Sequence, residues 1–242
     1  MFHVKHSAPA TAEFNLEPPR AAAEIFGTAL PLATAYVQWL ATAGVERGLV
    51  GPRERDRLWV RHILNCTALE PWLPDRGTLL DLGSGAGLPG IVAALLRPEA
   101  DTVLLEPLQR RASFLSEVVA DLGLGRVVVV RDRAESFAVQ RPESAAVVMA
   151  RAVAPLRRLV GWAMPLVAPG GQLLALKGQA AAAELDEAAL AMAPWPIVER
   201  GVHSVTVGGS VTQIVRLRRA DPPGLGSEGG TSGGRKSIRR SR

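Results

Sequence analysis

Residues 79–90 read Leu-Leu-Asp-Leu-Gly-Ser-Gly-Ala-Gly-Leu-Pro-Gly. An apolar run ends at Asp81-Leu82, glycines at 83, 85 and 87 follow, and apolar residues resume at Ile91. This is the pattern of a strand that turns through a glycine loop into a helix. Glycine lets the backbone turn sharply and approach a ligand with no Cβ in the way. A tight turn without a ligand is the plainer alternative, and the strand-to-helix context argues against it.

Two cofactor classes fit the loop. Counted from Gly85, Gly85-x-Gly87-x-x-Gly90 satisfies the dinucleotide fingerprint, with Glu106 lying 21 residues on as a ribose-binding acid. That reading predicts an NAD(P)-linked oxidoreductase. Counted from Asp81, the pattern is acid-x-Gly-x-Gly-x-Gly, which resembles motif I of class I S-adenosylmethionine (SAM) methyltransferases. The second reading also accounts for a carboxylate where a buried strand meets the loop. Glu106 can accept two hydrogen bonds from a ribose diol in either case, so it does not discriminate.

Working outward, Thr78 to Leu82, Thr102 to Glu106, Val127 to Val130, Ala145 to Met149 and Gln172 to Leu176 are short apolar runs at intervals of roughly 20 to 25 residues. Each interval has room for a crossover helix, as parallel βαβ units require. The runs are nearly continuous rather than alternating, which predicts a sheet covered on both faces. Val202 to Val207 and Val211 to Leu217 flank Gly208-Gly209-Ser210 and read as an antiparallel hairpin. A late antiparallel strand, with the Ala168-Pro169-Gly170-Gly171 turn before the fifth run, favours SAM over a dinucleotide. Upstream, Pro18-Pro19 suits a helix start, and Ile25, Leu32, Tyr36, Trp39 and Leu40 recur at helical spacing. Leu58, Ile63, Leu64, Ala68 and Leu69 mark a second helix, ended by Pro71 and Pro74. The organisation read from this is a loose leader over 1–17, a helical extension over 18–75, a cofactor-binding domain over 76–220 and a disordered basic tail over 221–242.

The chain has 242 residues and a formal net charge of +5. That excess lies in residues 218–242, with seven basic against two acidic residues, while the remainder balances at 21 against 21. Net charge therefore gives no evidence that the folded body binds nucleic acid. At 48% hydrophobic the chain can fill a core. Its one cysteine, Cys66, allows neither an internal disulfide nor a cysteine-based zinc cluster, so no metal and a reducing, cytoplasmic setting are expected. No apolar run approaches the roughly 18 to 20 residues that span a bilayer, and no secretory signal is visible at the N-terminus, so no membrane association is expected.

Four segments together resemble the bacterial 16S ribosomal RNA guanine-N7 methyltransferase G family, also called glucose-inhibited division protein B. They are Val60-Arg61-His62-Ile63-Leu64; Asp81 to Gly90 followed by Ile91, with Pro89 making the loop more specific than a general motif I; Arg133-Ala134-Glu135 after the third run; and Ala150-Arg151-Ala152 with Leu176-Lys177-Gly178. The resemblance spans about residues 25 to 217. Two segments depart from it: Asn65-Cys66 stands where the family often has Asp-Ser, and the family's Trp-Asn-x-x-x-Asn-Leu-Thr segment is unrecognisable after Trp39.

The resemblance implies an α/β class I SAM-dependent methyltransferase fold, Rossmann-like, with a seven-stranded, mostly parallel sheet, an antiparallel C-terminal hairpin and an N-terminal helical extension. It implies methylation of N7 of a guanosine in 16S ribosomal RNA, with the 30S subunit as partner and a monomeric enzyme. Gly83, Gly85 and Leu88 would line the SAM site, Glu106 would hold the ribose, and Ala134 and Glu135 would lie along the adenine. Arg151 would face cofactor and substrate, with Lys177 beside it in a positioning role, and Arg61 and Arg133 would hold RNA. A ribosome-assembly protein that keeps the fold without catalysis is the non-enzymatic alternative.

The chemistry agrees with the residue inventory. Guanine N7 has an in-plane lone pair and no proton, so methyl transfer to it needs positioning rather than a general base. The sequence accordingly has no Cys/His or Ser/His constellation, and His62 and His203 read as structural. Arg151 suits phosphate or guanine O6, because a donor on N7 itself would block the reaction. Aromatics make up only 5% of the chain, which disfavours a stacking platform for single strands. Recognition by RNA shape and backbone, with a looped-out guanine, is the expectation.

Overall fold

The computed structural model describes residues 16–222. The sequence-based expectations for 1–15 and 223–242, most of the leader and of the basic tail, lie outside the described residues. Seven strands form one sheet in the order β3-β2-β1-β4-β5-β7-β6: β1 Thr78–Leu82, β2 Asp101–Leu105, β3 Val127–Val130, β4 Ala145–Arg151, β5 Val167–Lys177, β6 Ile197–Val207 and β7 Ser210–Arg219. The first five are parallel, and β7 inserts antiparallel between β5 and β6. The expected sheet and hairpin are therefore present, with β1 and β3 at their read boundaries.

Four strands outrun their reading, β4 by running on past Met149 to Arg151 and β5, β6 and β7 by more. β5 starts at Val167 rather than Gln172, because the Pro169-Gly170-Gly171 stretch is absorbed as an irregularity where the β4 register shifts between Ala145 and Val147. A Cβ on Gly171 would lie 2.8 Å from the Ala146 carbonyl, so only glycine admits the close pass. β6 and β7 extend well past the apolar core of the hairpin, pairing polar residues such as Glu199 and Arg218 on the sheet's edge. Their connection is two residues, Gly208 and Gly209, with φ of 55° and 78°, the left-handed pair that a tight hairpin turn demands.

Both sheet faces are covered. On one face α6, Ala134–Gln140, lies beside α7, Leu156–Ala163, and α7 buries Leu156, Leu159, Val160 and Ala163 at i, i+3, i+4 and i+7 against Leu80, Leu82, Val148 and Ala150 of β1 and β4. The other face carries α4, Gly90–Leu96, and α5, Gln109–Asp121, and over these pack the N-terminal helices. There α1, Arg20–Phe26, starts directly after Pro19, and α2, Leu30–Trp39, accepts Pro31 in its first turn, where a missing N–H costs nothing. Tyr36, Val37 and Leu40 are fully buried in this layer, and Trp39 meets Phe114 of α5 edge-on at 6.0 Å. The hydrophobic stripe of the extension thus packs on the body.

The second N-terminal helix of the sequence reading is instead a relay of short pieces. A 3-10 turn over Pro52–Arg57 leads into a π-helical segment, Leu58–Leu64, and then a single α-turn, α3, Asn65–Thr67. This relay abuts the far end of the chain. Asn65 Nδ2 donates to Thr212 Oγ1 of β7 at 2.6 Å, and a Cβ on Gly208 would come within 2.8 Å of Leu64.

Candidate functional site

In an open α/β sheet, ligands gather where the strand order reverses, outside the carboxyl ends of the strands. Here that point lies between β1 and β4, and Gly83 and Arg151 stand at it. Gly83, Gly85 and Gly87 all have positive φ, at 71°, 59° and 99°. The loop is held from below: the Gly83 and Ser84 N–H groups donate to the Leu105 carbonyl at 2.8 and 3.2 Å, and Tyr36 of α2 donates its hydroxyl to the Ala86 carbonyl at 2.8 Å. Ser84 Oγ donates to the Asp81 carbonyl at 2.9 Å.

Asp81 is an anchor rather than a ligand group. It is fully buried, and its Oδ2 accepts the Gly90 N–H at the start of α4 at 2.9 Å. Burial pushes its carboxyl up to about 7, against the opposing pull of that N–H. Gly90 is what allows the contact, since a Cβ there would meet Leu104 at 2.3 Å and Asp81 Oδ2 at 2.6 Å. Glu106 is 1% exposed, and its two oxygens accept the Gly85 and Leu108 N–H groups, each at 2.9 Å. Its carboxylate therefore shapes the glycine loop from beneath, and Glu106 is not among the residues lining the three cavities around the site.

Two cavities border this loop, and a third shares wall residues with each of them. One of about 150 Å³ is bordered by Gly83, Pro107, Arg133, Ala134, Glu135 and Trp162. One of about 240 Å³ runs along Gly83, Gly85 and Leu88 to Arg151, with Glu54 and His62 on its far side. The third, an open basin of about 900 Å³, is lined by Arg61, His62, Asn65, Arg151, Lys177 and Glu184 among others. Gly83 borders the first two, Val153 the first and third, and His62, Arg151 and Ala152 the second and third. A Cβ on Gly83 would lie 3.0 Å from Val153, so the passage between cavities has no space for a side chain. Ala152, with φ of 55°, takes the left-handed conformation at this junction, a strained choice for a residue with a Cβ.

The residues expected from the sequence divide among these cavities. Gly83, Gly85, Leu88 and Arg151 come together in the middle one, and Ala134 and Glu135 border the smallest. Arg133, expected on RNA, stands with Ala134 and Glu135, whereas Arg61 stands on the basin; the structure does not bring these two arginines together. Lys177 lies on the basin wall, but its ammonium is committed: Nζ donates to the Ala154 carbonyl at 2.7 Å and to Glu184 Oε2 at 2.8 Å. Glu184 also accepts the Leu156 N–H at 2.8 Å. Burial raises the Glu184 carboxyl, but these donors outweigh it and leave it below the usual range. Lys177 therefore pins the loop after β4 that floors the basin.

Sequence reasoning missed Glu54, His62 as more than a packing residue, Asn65, and the Val153 and Trp162 walls. Only the position of His62 beside Arg61 signalled its place. Asn65, at the first departure from the resembled family, lines the basin while tying it to β7. Its neighbour Cys66 is buried, and burial pushes its thiol up to about 11, which leaves it inert. Among the described residues, no group of three or more His, Cys, Asp or Glu could hold a metal, and no helix is long and apolar enough to cross a membrane.

Over residues 29–208 the chain matches the family model GidB, rRNA small subunit methyltransferase G. It is 54% identical over 174 residues to the ribosomal RNA small subunit methyltransferase G of Thermobifida fusca, covering 72% of this chain and 73% of the relative. With the protein of that name from Mycobacterium sp. strain KMS it shares 46% over 224 residues, 90% of this chain and 98% of the relative. Among solved structures it is similar to Pyrococcus horikoshii TYW2 in complex with MeSAdo, with TM-score 0.54, 12% identity, and 66% and 63% of the two chains covered. A protein described as a predicted O-methyltransferase, Atu636 from Agrobacterium tumefaciens, aligns with TM-score 0.52 and 20% identity, covering 65% of this chain and 80% of that one. These structural likenesses concern the fold: a class I SAM methyltransferase sheet. The dinucleotide reading of the loop falls with the family match.

Proposed function

The chain belongs to the rRNA small subunit methyltransferase G family, and from that premise we propose that it transfers a methyl group from SAM to N7 of a guanosine in 16S ribosomal RNA. SAM-dependent methylation of small-subunit ribosomal RNA is the family's activity. The atom, the residue roles and the working form of the enzyme are our reading. One observation carries it: two small cavities border Gly83, and each shares wall residues, Val153 for one and His62, Arg151 and Ala152 for the other, with a basin of about 900 Å³.

The glycine cradle fits the cofactor. Positive φ at Gly83 and Gly85 and the open space beside Gly85 let a ligand approach the backbone. In this reading Gly83, Gly85 and Leu88 hold the amino-acid end, Glu106 the ribose, and Ala134 and Glu135 the adenine, with Arg133 at that end of the groove. The bound cofactor supplies an electrophilic methyl group. The chain supplies position: Arg151 at the junction orients the guanine through O6 or the adjoining phosphate, Arg61 holds RNA backbone at the basin rim, and Lys177 keeps the basin floor in place. N7 carries no proton, so no base is called for, and none of the cavity walls presents an unengaged carboxylate–histidine pair aimed at the junction. The methyltransferase unit then spans 76–220, and the helical extension over 18–75 contributes the basin's second wall. We place the enzyme as a monomer in the cytoplasm, acting on the 30S subunit.

The test is incubation of 30S subunits with labelled SAM, followed by mass mapping of the modified guanosine. Transfer to N7 of one 16S guanosine is the expected result. Cofactor binding without any label in RNA would leave a non-catalytic assembly role instead.

A further inference from the structure

Glu54, His62 and Arg151 come from three separate elements, the 3-10 turn, the π-helical segment and the end of β4, and meet at the passage between the middle cavity and the basin. Arg151 Nη2 lies 3.1 Å from His62 Nδ1, and Arg151 Nη1 donates to the Arg61 carbonyl at 3.4 Å. On the other side of the ring, His62 Nε2 lies 3.1 Å from Glu54 Oε2, while Glu54 Oε1 accepts from Arg61 Nη1 at 3.0 Å.

The donor inventory assigns the proton. A guanidinium has only donors and a carboxylate only acceptors. Nδ1 must therefore be the bare nitrogen that receives Arg151, and Nε2 carries the hydrogen given to Glu54. A second proton on the ring would place an N–H against the guanidinium and break the contact. Burial and the Arg151 charge hold the His62 pKa below its ordinary 6.5, with Arg61 acting the same way and Glu54 opposing. No proton reaches the substrate by this chain, which suits a reaction that needs none.

We propose that His62, held in this tautomer by Glu54, is a positioning residue: its Nδ1 fixes the Arg151 guanidinium in one orientation at the junction and leaves the other N–H groups of Arg151 for the nucleotide. This rests on the methyl-transfer reading above. Without the Nδ1 acceptor, the guanidinium can swing into either cavity. A misplacement of about 1 Å at a reacting centre costs on the order of 100-fold in rate.

Two near-isosteric substitutions separate the halves of the device. Asparagine sets its amide oxygen near Nδ1, so His62→Asn keeps an acceptor for Arg151. Glutamine reaches toward Glu54, so His62→Gln keeps that contact and loses the acceptor. With 30S subunits and labelled SAM, kcat of His62→Gln should fall roughly 10- to 100-fold, and that of His62→Asn by less than about threefold. S-adenosylhomocysteine affinity and thermal midpoint should stay near wild type in both. Wild-type kcat should also fall as pH drops through the His62 titration, below 6.5, and His62→Asn should lack that limb. The role is overturned if His62→Gln keeps kcat within about threefold, if both variants fall together, or if the acid limb persists unchanged in His62→Asn. An unlabelled wild-type reaction refutes the methyl-transfer reading and this one with it, whereas a labelled wild type with an equally active His62→Gln refutes only the positioning role.

Discussion

Gly90→Ala sets two well-known effects against each other at a single Cβ. Gly90 opens α4 with an ordinary helical backbone, so alanine is conformationally allowed and intrinsically favoured by about 1 kcal/mol. The added carbon, however, would stand 2.3 Å from Leu104 Cδ2, 2.6 Å from Asp81 Oδ2 and 2.7 Å from Asp81 Cβ. Leu104 and Asp81 are both fully buried in the sheet, so the helix must move instead. Overpacking of this kind costs about 1 to 3 kcal/mol, and losing the Gly90 N–H bond to a buried carboxyl adds about 1.5 to 3. The clash wins, with a net loss of about 1.5 to 5 kcal/mol, or roughly 3 to 20 °C in Tm for a domain of this size. Gly161 provides the control, since it lies within α7 and has nothing within 4 Å of its Cβ. Gly161→Ala should raise stability by up to about 1 kcal/mol. Calorimetric Tm of the two variants checks both signs. A Gly90→Ala protein as stable as the wild type would refute the argument that the helix is seated on Asp81 by the absence of a side chain.

The remaining predictions concern binding, catalysis and pH. Gly83→Asp puts a side chain 3.0 Å from Val153 in the passage and forces a positive φ on a non-glycine; calorimetric titration should show S-adenosylhomocysteine affinity reduced by more than about 100-fold, or nearly 3 kcal/mol, and affinity within threefold of wild type would sink the cradle assignment. Lys177→Met removes both bonds to Ala154 and Glu184 and should cost about 2 kcal/mol of stability and at least tenfold in methyl transfer. Cofactor affinity should survive, because Lys177 borders neither of the small cavities. The Asp81 carboxyl is raised to about 7 in the folded protein from 3.8, so the folded state holds the proton more tightly. Its contribution to stability is complete at low pH and is lost as pH rises to 7, with a slope of at most about 1.4 kcal/mol per pH unit. Asp81→Asn does not titrate, so its Tm relative to wild type should climb between pH 4 and 7 and level off above; a difference independent of pH would remove the buried-carboxyl argument.

The glycine-loop half of the candidate site was legible as geometry because it is local. Asp81, the three glycines, Leu88 and Gly90 sit in one short stretch whose spacing carries its own geometry, and Ala134-Glu135 follows a strand that is apolar throughout. The basin was legible only as scattered cations. Its walls come from residues 61–65, 151–155, 177 and 184, brought together by the sheet rather than by any periodic pattern. Lys177 illustrates the difference: a lysine at a strand end reads as a group reaching for substrate, yet its nearest partners are a backbone carbonyl and Glu184, seven residues on. His62 was read as packing for the same reason, since nothing in Arg61-His62 indicates that Arg151, 89 residues later, meets its ring. Strand ends were missed where polar edge residues carry no hydrophobic signal, as in β6, and the N-terminal relay was misread as one helix because apolar spacing does not distinguish 3-10 and π turns from α.

The seam between Asn65 and Thr212, joining positions 147 residues apart, also has a meaning in time. Synthesis proceeds from the N-terminus, so the glycine cradle and its parallel strands emerge well before the hairpin does. The segment bearing Arg61 and His62 is made earlier still, but its neighbours on β7 come last. An unfinished chain therefore has its glycine loop before it has the β7 brace, and the wall bearing Arg61 and His62 is seated only after the hairpin has emerged.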